Sequence, residues 1–302
     1  MKRSDPRSGV ILVTVLWSIA LLSALAMAAA VTFRGFAGVM SVERDRVQGA
    51  ALLSAGLETA AGIIDALGDA PLQDNEAKVD LATGSVRSRL TDEGGRIDVG
   101  KAPVEVIVAL LRTVGASQAA ANDVAQRIVE RRNPGNTPRP NVALGSISST
   151  TGTPQQMGQA STPEIGQPFS DLRQLQLVPG MRPEWVAGIM PLATVFGSET
   201  INPLTAPPGV IAALPGVAKG QADAFVRARR SSSADVERLT RLIEPARRYL
   251  AVKPVRVASV ELMAELANGY ATGARSVIVV LPQDTLPYRV LVWTPVPSPR
   301  LL

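Results

Sequence analysis

The sequence predicts an α+β fold: one very long N-terminal helix, a small antiparallel sheet, and a helical domain set between the strands of that sheet. Three observations carry this reading. An uncharged run near the N-terminus continues into a proline-free helical period. Stretches rich in Val, Ile and Tyr lie on both sides of a middle that reads as helical. That middle also contains an internal repeat. The chain has 302 residues, room for two domains of about 100–200 residues each.

The long helix comes first. From Val10 to Phe33 there are 24 residues without a charge. At 1.5 Å per residue they reach about 36 Å as a helix, enough to cross a hydrocarbon core of roughly 30 Å. Lys2, Arg3 and Arg7 precede the run against a single Asp5. Basic flanks stay in the cytoplasm, so the 269 residues after Phe33 are expected in the periplasm of a bacterial cell. Ala24-Leu25-Ala26 and Ala26-Met27-Ala28 fit the small-x-small pattern of a cleavable signal peptide, but 24 apolar residues exceed an ordinary signal core. An apolar or small face then recurs at Phe36, Val39, Met40, Val47, Ala50, Ala51, Ser54, Leu57, Ala61, Ile64 and Leu67, with no proline until Pro71. The segment is therefore read as a retained anchor and the first half of one helix from Val10 to Leu67. Gly35, Gly38, Gly49 and Gly56 interrupt it, each at about 1 kcal/mol relative to Ala. They suggest sites where another helix approaches closely.

The strands follow from alternation. Ala77–Ala82 and Ser85–Leu90 flank Thr83-Gly84 as a hairpin, and Pro254–Leu266, Arg275–Leu281 and Tyr288–Thr294 read as three C-terminal strands. Between them, Ile97–Leu110 aligns with Ile201–Leu214 at seven identical positions of 14, with Asp98 opposite Asn202. Each copy opens a helix with proline in its first turn, Pro103 or Pro207, where the missing N–H costs nothing. Each is followed by a glycine and a second helix ending in Arg131-Arg132 or Arg229-Arg230. Two helical half-units sharing one core are expected. Asn133–Pro168 interrupts them: 20 of its 36 residues are Pro, Gly, Ser or Thr, which predicts a flexible loop.

Composition then excludes chemistry. Cys and His are both absent, which removes disulfides, thiolate and imidazole metal sites, and Ser–His or Cys–His nucleophilic catalysis. The balance of 31 basic to 26 acidic residues is not that of a dedicated nucleic-acid binder. Val178-Pro179-Gly180-Met181 and Leu214-Pro215-Gly216-Val217 look like helix-hairpin-helix turns, which can hold a phosphate on backbone N–H groups, with Lys219, Arg227, Arg229 and Arg230 nearby. No aromatic residues are interleaved for base stacking, and packing two helices together is the better use of such a turn. Asp92, Glu93 and Asp98 lie close together in sequence and have the donor type for a divalent cation, but no catalytic carboxylate pair stands out.

One boundary matters beyond composition. A short basic leader ending in Ser8-Gly9, followed at once by the apolar run from Val10, resembles the class III signal of type IV pilins and type II secretion pseudopilins. Further resemblance lies in Asp92-Glu93-Gly94-Gly95-Arg96-Ile97-Asp98-Val99, in Phe169–Leu175 with Val178–Met181, in Ile201-Asn202-Pro203-Leu204-Thr205-Ala206-Pro207, and in Val290-Leu291-Val292-Trp293. Together they resemble the K-subunit family, the large minor pseudopilins of the type IV pilin-like superfamily. The resemblance implies a pilin-like fold and cleavage by prepilin peptidase between Gly9 and Val10. It implies partners as well: the other minor pseudopilins in a tip complex, the major pseudopilin and the inner-membrane secretion platform. No nucleic acid and no catalysis are expected.

Two departures are informative. Val10 stands where most relatives have Phe, and Thr14 where nearly all pilins have Glu. A Glu in apolar surroundings is costly unless paired, and the resemblance implies its pairing with a neighbour's N-terminal amine. Thr14 cannot make that pair, which marks a subunit at the end of a filament. The family can bind calcium beside an Asp-x-Asp loop. Here the corresponding place reads Glu130-Arg131-Arg132-Asn133-Pro134, so no ligands can be assigned and no cofactor is carried over. The expected division is a leader 1–9, a transmembrane half-helix 10–33, a periplasmic half-helix with the first strands 34–96, a helical insert 97–249 with its loop 133–168, and C-terminal strands 250–302.

Overall fold

The computed structural model describes residues 7–72, 76–132, 169–231, 235–281, 284 and 286–296, and side chains throughout these except 7–12 and 31–38. The expected loop Asn133–Pro168 and the start of the leader lie outside the described residues. Helix α1 runs unbroken from Arg7 to Leu67, 61 residues, or about 90 Å. Its far half packs Leu52, Leu53, Leu57, Ala60, Ala61 and Ile64 against a sheet.

That sheet has five antiparallel strands in the order β1-β2-β5-β6-β7. β1 (Glu76–Leu81) and β2 (Gly84–Asp92) form the expected hairpin. β5 (Val257–Leu266), β6 (Ala271–Val280) and β7 (Tyr288–Val296) complete it from the C-terminal segment. The period-2 pattern places Val86, Ser88 and Leu90 of β2, and Val260, Leu262 and Ala264 of β5, on the helix side, all buried. Arg87, Arg89, Glu261 and Arg275 point the other way and are exposed. Glu76–Arg89 and Glu261–Arg275 make cross-strand ion pairs there.

Two glycines explain how closely helix and sheet meet. A Cβ on Gly56 would lie 2.7 Å from Val86 and 3.0 Å from Leu262, and one on Gly49 would lie 2.8 Å from Thr272. These positions therefore serve the chain's own sheet. This corrects the expectation, for Gly49 and Gly56, that they admit a helix from another subunit: β2, β5 and β6 already fill the space.

The same contacts fix direction. Gly49 meets Tyr270 and Thr272 at the β5–β6 turn, and Asn268 of that turn donates to Asp45 at 2.9 Å. Gly56, farther along α1, meets the middle of β2 and β5. The opposite ends of β2 and β5, Asp92 and Val257, are thus on the side away from the apolar N-terminal half. Everything between them is carried about 50 Å beyond Ala30, measured along α1 to Ile64.

Between β2 and β5 lies the helical insert. α2 (Val104–Thr113), α3 (Gln118–Arg132), α4 (Pro183–Ile189), α5 (Pro208–Ala212), α6 (Lys219–Ser231) and α7 (Val236–Arg241) enclose a second core. Leu110, Leu111, Ile128, Leu175, Ile211 and Phe225 are fully buried in it. The stretch Asp92–Val99 is divided. β2 ends at Asp92, a 3₁₀ turn spans Glu93–Gly95, and β3 (Ile97–Asp98) pairs in parallel with β4 (Ala193–Thr194) in a separate sheet. Asp92 causes the break by capping the turn, its side chain accepting from the Gly94 N–H at 2.8 Å.

Candidate functional site

The apolar half of α1 has no cover. From Val13 to Ala30 every residue is exposed, with Trp17 at 74% and Leu21 and Met27 at 71%. Exposed apolar residues continue at Val39, Met40, Val42 and Val47, past the uncharged run. Val13–Ala30 is long and apolar enough to cross a membrane. Gly9 and Val10 fall in the first turn of α1. Thr14 lies one turn on, its carbonyl accepting the Ser18 hydroxyl at 2.8 Å.

The repeat is physical as well as textual. Asp98 accepts from the Gly100 N–H at 2.8 Å, and Asn202 from the Leu204 N–H at 3.1 Å, so both copies begin with the same side-chain-closed turn. Pro103 and Pro207 then cap α2 and α5 with matching backbone angles, φ −56° in both. Each second helix sends an arginine back to that turn. Arg132 donates to the Ala102 carbonyl at 2.7 Å and approaches that of Val99 at 3.4 Å. Arg229 donates to the carbonyls of Ala206 at 2.7 Å and Pro203 at 2.8 Å. Ala102 and Ala206 are repeat-equivalent, as are Val99 and Pro203. Burial lowers the pKa of both guanidinium groups, with Arg230 adding to the effect at Arg229. The paired arginines that end each second helix in the sequence thus include one internal clamp per half-unit.

This placement bears on phosphate binding. Gly216 takes φ +76°, as a tight helix-hairpin-helix turn requires. Gly216 is exposed, but the two N–H groups after it are engaged within the chain, that of Val217 by the Leu214 carbonyl at 3.3 Å and that of Ala218 by the Gln221 side chain at 2.9 Å. Arg229 is occupied by carbonyls. Of the cations near this turn, Lys219, Arg227 and Arg230 are exposed. The Val178–Met181 hairpin turns at Gly180, φ +84°, against Val124 of α3. Both hairpins pack helices.

A buried polar joint connects insert to sheet. Asp92, at the end of β2, accepts hydrogen bonds from the Thr205 hydroxyl and, at 3.4 Å, from the Asn202 amide. Asn202 also donates to the Lys253 carbonyl at 3.1 Å. Glu93 accepts from Ser259 of β5 and from Arg96 at 3.2 Å. The joint therefore draws on the second repeat copy and on both strands that flank the insert. Burial raises the Asp92 pKa, and the neighbouring Glu93 charge adds to that, against the opposing hydrogen bonds from Thr205, Gly94 and Asn202. Beside it is a cleft of about 280 Å³ lined by Asp92, Phe196, Ser198, Lys253 and Arg256.

Asp92 and Glu93 are thus met by protein donors, whereas Asp98 accepts a hydrogen bond through one oxygen and its other, buried without a hydrogen-bond partner, is 3.3 Å from the Lys101 ammonium. Among the described residues no group of three or more metal-ligating side chains is assembled. Ser259 as a partner for Glu93 had no sequence signal. The arginine clamps had one, the doubled arginines, whose target only the fold reveals.

No protein-family model matches the chain, and no curated protein matches it by sequence. Among solved structures it is similar to a chain of the GspK-GspI-GspJ complex from the enterotoxigenic Escherichia coli type 2 secretion system. The TM-score is 0.60 at 15% identity, over 86% of this chain and 99% of that one. At that identity the likeness is one of fold.

Proposed function

We propose that this chain is a K-type minor pseudopilin of a bacterial type II secretion system. It caps the tip of the pseudopilus and helps to start assembly, so that folded proteins can be exported across the outer membrane. The observation that carries this reading is the placement of a large helical insert at the far end of a membrane-anchored helix–sheet unit. That architecture is similar to the chain from the complex named above, whose other named members make minor pseudopilins the natural partners. Prepilin peptidase removes residues 1–9, leaving Val10 as the N-terminus on the cytoplasmic side and α1 as a single-pass anchor. The exposed apolar residues from Val39 to Val47 are available to neighbouring helices above the membrane. The insert projects into the periplasm, where a subunit stacked in line would have to occupy the same space.

Thr14 supports the same position. Without a carboxylate there, the chain lacks the group that ties an ordinary subunit to its neighbour's amine. The work is mechanical and no residue is assigned a catalytic role.

A membrane-anchored DNA-binding protein of competence type is the second reading. The engaged N–H groups of the Gly216 hairpin and the engaged Arg229 disfavour it. N-terminal sequencing of the membrane-bound protein separates these readings from an ordinary secreted protein. A chain beginning at Val10, with Gly9→Leu left uncleaved, is the expected result. A chain beginning after the apolar run, or normal processing of the Leu variant, would overturn the assignment.

A further inference from the structure

The net charge of the whole chain is +5, yet residues 219–256 alone carry ten Lys and Arg against four Asp and Glu, a net of +6. The positive charge of the protein is therefore concentrated in one stretch. It comprises α6, α7, the 3₁₀ turn Glu244–Tyr249 and the extended link into β5. These elements pack in succession, α6 on α7 and α7 on the 3₁₀ turn. α6, α7 and the 3₁₀ turn belong to the insert, and the link joins it to the end of β5 away from the apolar half of α1.

The charges are free to act outward. Lys219, Arg227, Arg230, Arg238, Arg241, Arg247, Arg248, Lys253 and Arg256 are all exposed; only Arg229 is drawn inward. Among the described residues, Arg227, Arg230 and Arg238 make no side-chain hydrogen bond or ion pair. The local acids are partly used at home. Asp235 caps α7 by accepting from the Arg238 N–H, and Glu244 faces Arg247 at 3.6 Å. Arg230 also lies near enough to Arg229 to add to the lowering of its pKa by burial, so two like charges lie close together here. Crowding of this kind costs stability and is relieved by an anionic partner.

We propose that this basic segment docks an acidic protein surface at the distal end of the molecule. Three observations favour protein over the other anionic partners. The segment sits about 50 Å beyond the membrane-spanning stretch along α1, outside the reach of the inner-membrane headgroups. Its aromatic residues, Phe225 and Tyr249, are buried, which leaves no stacking platform for single-stranded nucleic acid. In the hairpin that could have gripped a phosphate, the Val217 and Ala218 N–H groups are already taken by the Leu214 carbonyl and the Gln221 side chain. What remains is an exposed array of guanidinium and ammonium groups suited to carboxylates. The distal placement rests on the membrane-anchored reading above.

The test uses the full chain in detergent and labelled poly-L-glutamate as the acidic probe, titrated at several salt concentrations. Two triple variants are compared: R227E/R230E/R238E within the segment, and R87E/R112E/R173E on other exposed faces. Both change net charge equally. The proposal expects salt-sensitive binding that the first variant weakens at least tenfold and the second less than twofold. In cells, the first variant should reduce secretion while still co-purifying with the other minor pseudopilins. Polyglutamate binding that survives the first variant, or that both variants weaken equally, would overturn the proposal. So would dependence on these three arginines of binding to phosphatidylglycerol vesicles or duplex DNA alone. Co-purification of the unaltered chain tests the pseudopilin reading separately.

Discussion

Replacing glycine by alanine at two places in α1 should have opposite effects. In a helix interior alanine is favoured over glycine by about 1 kcal/mol. A Cβ at Gly62 meets no atom within 4 Å, so that gain stands alone. At Gly56 the same Cβ would lie 2.7 Å from Val86 Cγ2 and 3.0 Å from both Leu262 Cδ2 and Ser88 Oγ. Comfortable carbon–carbon contact begins near 3.5 Å, so helix and sheet must part or buried side chains must leave their rotamers. Over-packing of this kind costs about 1–3 kcal/mol. Separation would also stretch the bond from the Ser88 hydroxyl to the Gly56 carbonyl, now 3.2 Å, at about 1 kcal/mol. The clash wins over propensity. Gly62→Ala should stabilise the helix–sheet unit by about 1 kcal/mol and Gly56→Ala should destabilise it by about 1–2 kcal/mol. The two variants should melt roughly 5–10 °C apart. Thermal unfolding of the full chain in detergent, followed by Trp293 fluorescence with Trp17 and Trp185 replaced by Phe, measures this. If Gly56→Ala is as stable as Gly62→Ala, the close helix–sheet contact is wrong.

Three further outcomes are expected. Arg229→Ala should destabilise the insert by about 3 kcal/mol and Arg132→Ala by about 2 kcal/mol, since the first loses two short charge-assisted bonds and the second one short and one long; unfolding followed by Trp185 alone would refute the clamps if both losses fell below about 0.5 kcal/mol. Asp92 has a raised pKa in the folded chain, so the native state holds its proton more tightly than the unfolded state. Its contribution to stability is full below the ordinary carboxylate value of 3.8 and is lost as pH rises through the raised value. The stability difference between Asp92→Asn and the unaltered chain, measured from pH 3 to 7, should therefore move in favour of the Asn variant as pH rises; a shift the other way would reverse the assignment. Thr14→Glu should fail to strengthen co-purification with the other minor pseudopilins, because it adds an unpaired carboxylate to the apolar segment; tighter assembly would remove the end-subunit argument.

Much of the architecture was legible because it is written in local periods. One helix from Val10 to Leu67 followed from a 3.6-residue face and the absence of proline, and the hairpin at Thr83-Gly84 from alternation around a turn. The repeat could be read because Asp98 and Asn202 close the same turn, and Pro103 and Pro207 open the same helix. What escaped depended on distant pairings. β3 and β4 are two residues each and meet across nearly a hundred positions, too short for any periodic signal. Gly49 and Gly56 looked like intersubunit contacts, since sequence shows a small residue but not the element that approaches it. The Asp92–Glu93 joint was visible as clustered carboxylates, and its acidic composition suggested a cation. Thr205, Asn202 and Ser259, which satisfy it instead, are brought there only by the fold.

The central claim is that this chain occupies one end of a filament. Gold labelling of an epitope in the insert, on sheared pseudopili imaged by electron microscopy, tests it most directly. A single label at one end of each filament is the predicted result. Labels repeated along the filament would contradict it.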